Sequence, residues 1–202
     1  LQMFLDPDKP IAKQRANLPH WQQGETYAFV TWRLNDSLPK EAVAKWQEKR
    51  DHWLTQNPEP HTTQQKSNYN RLFSLKLEEL LDDNHGTCCL RETSIRQIVT
   101  GAFHHFDNDR YQLASYVVMP NHVHLLFKPL GEHTIPDIIH TWKRHTAREI
   151  NKSLDQTGTL WQSEYWDRLI RSQKHFDWVT HYIEANPAKL KNGTFTLWRR
   201  AL

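Results

Sequence analysis

Two histidines flank a valine at His122-Val123-His124, and no other His-x-His occurs in the chain. In a strand, residues i and i+2 project from the same face, so both imidazoles converge while Val123 points to the layer behind. Two imidazoles on one face of a rigid strand supply half of a metal site and leave positions open for a substrate. The 13 histidines of the chain would give about one such pair by chance, and a solvent-facing pair on an exposed strand is the bland alternative. The flanks Tyr116-Val117-Val118 and Leu125-Leu126-Phe127 favour a central, buried strand.

A metal held there needs a third ligand and a chemical step to serve. Tyr182 and Asn186 stand four residues apart in a helix-forming stretch that Pro187 stops, so they share a helix face. Asn186 offers a neutral amide oxygen. Tyr182 offers a phenol, a nucleophile when a metal polarises its target. A core tyrosine beside a helix-terminal asparagine is the bland reading. Tyr165 is a competing nucleophile, set in a strand-like run with Trp166, Asp167 and Arg168.

Composition narrows the rest. The chain has 202 residues and a mean hydropathy of −0.81, and no apolar run is long enough for a membrane span. The opening residues lack a basic start and a long apolar stretch, which predicts no secretory leader. Met3 is the expected native start. Only 6 glycines occur and no phosphate-loop pattern is present. Cys88 and Cys89 are adjacent and no Cys-x-x-Cys exists, which predicts a reducing, cytoplasmic setting without a zinc knuckle. The net charge is only +3, but residues 135–202 carry 11 Lys and Arg against 7 Asp and Glu. That local excess favours a nucleic-acid partner.

The elements that must position these groups follow from periodicity. Residues 1–25 read as an extended arm. Thr26 to Leu34 reads as a buried strand. Ser37 is the expected cap of a helix running to about Gln56. Residues 57–68 read as a loop and 70–82 as a second helix, together an insertion at 57–84 with no assigned role. A third helix is expected over 91–106. Tyr111–Val118 and His122–Lys128, separated by Met119-Pro120-Asn121, read as an antiparallel hairpin, because the break is too short for a crossover. A helix from Thr134 to Lys152 presents Ile135, Ile138, Ile139, Trp142 and Ile150 on one side and Arg144, Arg148 and Lys152 on the other. With Lys143 beside them, these cations form a candidate phosphate-binding surface. Lys13, Arg15, His20 and Trp21 of the arm are further candidates. A short strand over 164–171 and a helix over 173–186 complete a single domain at 26–190, followed by a tail at 191–202. The order predicts an α+β fold, a ferredoxin-like antiparallel sheet with helices packed on it.

The segment Val118-Met119-Pro120-Asn121-His122-Val123-His124-Leu125-Leu126 resembles the HUH motif of single-tyrosine transposases. It is most similar to the branch associated with repetitive extragenic palindromes (REP). Tyr27 to Leu34, Leu160-Trp161-Gln162, Tyr165 to Arg171 and Tyr182-Ile183-Glu184-Ala185-Asn186-Pro187 support the resemblance in the same order, over residues 18–190. The resemblance implies a ferredoxin-like endonuclease domain that cuts and rejoins single-stranded DNA at REP-type hairpins. It makes His122 and His124 metal ligands and Tyr182 the nucleophile of a 5′-phosphotyrosine intermediate. Insertion-sequence relatives carry Gln as third ligand four residues after the tyrosine; Asn186 stands there, as in the REP-associated branch. Mg or Mn is the expected ion, with Zn open on ligand chemistry. The Tyr165 position is a packing aromatic in the family. The expected state is a monomer, although compact relatives work as dimers. A domesticated relative that binds hairpin DNA or RNA without cutting is the alternative function.

Overall fold

The computed structural model describes residues 3–15, 19–58, 62–74 and 85–201. The chain forms two compact units, one of residues 1–35 with 89–202 and the other of residues 36–88.

The larger unit is built on strands β3 (Ala28–Arg33), β4 (Tyr111–Val118), β5 (His122–Pro129), β6 (Trp166–Leu169) and β7 (Thr196–Arg199). They form one antiparallel sheet in the order β6-β3-β5-β4-β7. Helix α3 (Thr93–His105) joins β3 to β4 in the order of elements, α4 (Ile135–Ser153) joins β5 to β6, and α5 (Gln173–Ala185) follows β6. Without β7, this is the 4-1-3-2 order of a ferredoxin-like sheet, as the sequence predicts.

The strands β5 and β3 are central, so both of their faces are covered. On one face Val30, Trp32, Val123, Leu125 and Phe127 pack with Val99 and Phe103 of α3 and Ile139 and Trp142 of α4. On the other, Phe29, Val117 and Leu126 pack with Val179 and Ile183 of α5. This two-sided burial is why β5 reads as an apolar run broken by its two histidines and Lys128. An irregularity between Leu113 and Ser115 lets Leu113 and Tyr116 face the same layer although they stand an odd number of positions, three, apart.

Several expectations change. The arm holds a two-stranded ribbon, β1 (Ala12–Arg15) with β2 (Pro19–Gln22). Residues 191–202 contain β7, which pairs with β4 through Val117 and Leu197. The device that holds β7 is Arg96, a buried guanidinium on α3. It donates to the carbonyls of Leu90, Arg91 and Gly193 and to the hydroxyls of Thr93 and Thr196. An arginine in an apolar helix stripe gives no hint in sequence that it satisfies a distant chain segment.

The smaller unit contains α1 (Lys40–Gln56) and α2 (Thr63–Tyr69), the latter continuing as a π-helical turn over Asn70–Ser74. The expected Ser37 cap is not made: Pro39 occupies the N-cap position and no side chain caps the helix. Part of the expected loop at 57–68 is helical instead, because Tyr69 joins Trp46, Trp53 and Phe73 in an aromatic cluster that the preceding turn can serve. Most of the expected helix at 70–82 lies outside the described residues. Gly86 has φ +87°, and a Cβ there would stand 2.5 Å from the Asp36 carbonyl oxygen, so only glycine fits.

Replacing Arg96 by Ala strips five acceptors of their donor, and such buried losses cost about 1–3 kcal/mol each before relaxation. The expected outcome is a destabilisation of roughly 2–4 kcal/mol in denaturant titration, with residues 193–200 becoming protease-sensitive.

Candidate active site

Strand alternation puts His122 and His124 on the sheet face that α5 covers, and both are about 1% exposed. Their rings lie 4.8 Å apart, centroid to centroid. Each has its Nδ1 occupied. His122 Nδ1 is hydrogen-bonded to Asn121 Oδ1 at 2.7 Å, and His124 Nδ1 to Thr31 Oγ1 at 2.7 Å. Thr31 comes from the cross-strand register, which pairs it with His124 as it pairs Arg33 with His122. A proton on Nδ1 leaves the lone pair on Nε2, which is the tautomer a metal requires. Burial pushes the His122 pKa down to about 3. Burial first, and His122 second, hold His124 well below the usual imidazole range. Both rings are therefore neutral at pH 7, as ligation demands.

Helix α5 brings the tyrosine. Ser172 caps its N-terminus by accepting from the His175 N–H. The Tyr182 ring meets His124 edge-on at 5.4 Å and Phe29 at 5.8 Å. Asn186 follows one turn later, its backbone N–H donating to the Tyr182 carbonyl. Its Oδ1 is buried and has no hydrogen-bond partner among the described residues. A buried amide oxygen without a donor is costly, and a cation would offset that cost. Two neutral imidazoles and one amide oxygen form a nitrogen and oxygen donor set that suits Mg, Mn or Zn. The donor chemistry of these three side chains suits such an ion.

The surrounding charge fits an anion. The described strand residues of this face include Arg33, Lys128, Arg168 and Arg199 and no Asp or Glu, by the registers that link them, although Arg199 is paired with Glu184 of α5 at 2.8 Å. Asp167 lies on the opposite face, where it pairs with the buried His20 at 2.7 Å. His20 stacks on Tyr165 at 4.0 Å, so this part of the arm is packed against the fold. Tyr165 packs with the α3–α4 layer, and burial with nearby carboxylates raises its phenol pKa. The structure does not bring it to the histidine pair.

Other candidates are placed elsewhere. Lys143 donates to the Gln162 and Ser163 carbonyls at 2.6 and 2.7 Å, tying the loop before β6 to α4. Burial pulls its ammonium down to about 8, against Glu164. Arg144, Arg148 and Lys152 are exposed and line a groove of about 1120 Å³ between α3 and α4, with His105 and Gln97. That groove is on the sheet face away from His122 and His124. Lys13 and Arg15 lie in β1, and their side chains lie outside the described ones. Sequence reasoning missed the roles of Thr31 and Arg33, whose relation to the histidines appears only once the strand register is known, and of Asn121, the neighbour of His122 in sequence.

The fold and site define an α+β ferredoxin-like domain with a buried histidine pair facing a helical tyrosine. Residues 89–186 match the family model described as transposase, IS200 like. A solved structure of a REP-associated tyrosine transposase bound to a REP hairpin aligns at a TM-score of 0.52 and 16% identity, over 87% of this chain and 74% of that one. A protein from Deinococcus radiodurans R1 described as a transposase aligns over 79% of this chain and 89% of its own, at 17% identity and a TM-score of 0.33. No curated protein matches the chain.

The depressed histidine pKa values carry a sign. Below the unfolded value near 6.5 the unfolded state binds protons that the folded pair refuses, so stability is lost as pH falls from about 6.5 towards 3. Metal-free protein is expected to melt progressively lower across that window, and a His122→Gln/His124→Gln double variant to show a shallower slope. Equal slopes would contradict the burial argument.

Proposed function

We propose that the chain is a divalent-metal-dependent single-stranded DNA endonuclease and strand transferase acting on REP-type hairpins. The observation that carries this reading is the meeting of two neutral, buried imidazoles with the Tyr182 ring on one sheet face, while one helical turn further on the Asn186 Oδ1 has no hydrogen-bond partner among the described residues. The family match over residues 89–186 and the fold shared with a hairpin-bound transposase support it.

Tyr182 is the nucleophile. Its oxygen attacks the scissile phosphorus in line, forming a Tyr Oη–P bond as the P–O3′ bond breaks. The products are a 5′-phosphotyrosine and a free 3′-OH, and the proton lost by the phenol is regained by the leaving oxygen. The new phosphodiester retains the energy of the old one, so another 3′-OH reverses the step without ATP. A bound divalent ion supplies charge neutralisation of the phosphate. Arg33, across the strand pair from His122, adds a fixed positive charge on the same face. The Asn121 Oδ1, an acceptor, keeps the His122 proton on Nδ1, and Thr31 fixes the orientation of the His124 ring. Arg144, Arg148 and Lys152 hold backbone phosphates of the duplex part, away from the cut. The protein acts as a monomer in the cytoplasm.

A labelled REP-type hairpin with a single-stranded flank, incubated with Mn or Mg, is expected to give a covalent adduct that denaturation does not release. EDTA and Tyr182→Phe each abolish it. Cleavage that survives Tyr182→Phe points to water as nucleophile and overturns the reading. Tight hairpin binding indifferent to EDTA and without cleavage points to a binding protein instead.

A further inference from the structure

The most exposed large apolar side chain among the described residues is Trp178, at 57%. Single exposed apolar residues are ordinary, so exposure alone says nothing. Its placement says more. Trp178 precedes Tyr182 by one turn of α5, and the two rings stack at 5.8 Å with planes 17° apart. Tyr182 in turn meets His124 edge-on at 5.4 Å. The indole therefore extends a row of rings from the histidine pair outward to solvent. A core role does not explain it: the buried face of α5 is made by Val179, Thr180 and Ile183. The sheet face beneath the helix carries Arg33, Lys128 and Arg168, while Arg199 is paired with Glu184 of the helix itself, and the remaining cations suit a polyanion. An exposed π-face beside a cationic track is how single strands are held without sequence readout.

We propose that Trp178 is a stacking platform for one base of single-stranded nucleic acid, the base adjoining the phosphate presented to Tyr182. The proposal rests on the reading of Tyr182 given above. A base on the indole fixes the nucleotide next to the reacting phosphate, so the backbone enters the site in one register. The interaction uses the π-face that every base has, so it positions the strand without selecting sequence. The role is positioning, since Trp178 touches the strand and not the reacting atoms.

The test uses the full chain in a Tyr182→Phe background, so that nothing is cut, and two probes of equal length. One is a short thymidylate single strand and the other the same backbone with abasic sites. Trp178→Ala is expected to weaken thymidylate binding by roughly five- to hundredfold, the range for stacking on one base. Trp178→Phe recovers most of that affinity, whereas Trp178→Leu does not. Neither change alters binding of the abasic strand, because the lost partner is a base and not a phosphate. Affinity for thymidylate within about twofold of the parent, or the same loss on both probes, overturns the proposal. The two readings separate cleanly. A wild-type adduct with no effect of Trp178→Ala removes the platform and keeps the strand transferase. A base-dependent loss without any wild-type adduct keeps the platform and removes the strand transferase.

Discussion

Two imidazoles sit in the middle of an antiparallel sheet, out of reach of water, and that burial governs the rest of the site. An imidazole so placed cannot carry charge, and burial keeps both rings neutral at pH 7. Each must also satisfy its own N–H. The sheet does this locally, with Asn121 from the turn before β5 and Thr31 from the neighbouring strand. The remaining lone pairs then have a fixed direction. Everything else in the site is arranged around that direction: α5 lays Tyr182 against His124, and the end of the same helix leaves the Asn186 Oδ1 without a donor.

The ferredoxin-like topology explains why the parts meet. β5 lies between β3 and β4, so its residues have partners on both sides and cannot slip without exposing the Val123, Leu125 and Phe127 row. The two faces have different work. One packs α3 and α4 into an aromatic layer in which the Trp142 indole donates to the Tyr111 hydroxyl. The other accepts a single helix, α5, and leaves room for the histidines and their cationic neighbours. The exposed groove with Arg144, Arg148 and Lys152 belongs to the first face, so a nucleic acid touching both must pass round the sheet.

Much of this was legible from local pattern. The apolar flanks of His122-Val123-His124, the short break at Met119-Pro120-Asn121 and the amphipathic helix at 135–153 each state their own structure. The Tyr182 and Asn186 spacing was also readable, since it depends only on helix geometry. What was hidden depends on partners distant in sequence. Lys143 looks like a surface cation but binds the 162–163 carbonyls. His20 looks like part of a free arm but pairs with Asp167. Thr196 to Arg199 looks like a tail, and only the Arg96 contacts and the edge of β4 make it a strand. Thr31 is an unremarkable strand residue until the register sets it across from His124.

The central claim is that His122, His124 and Asn186 form one divalent-cation site beside Tyr182. Titration of metal-free protein with Mn, followed by electron paramagnetic resonance, measures this without reference to DNA or activity. One site per chain is expected, lost in His122→Ala and in His124→Ala, weakened in Asn186→Ala and retained in Tyr182→Phe. Undiminished Mn binding in both histidine variants would contradict the account.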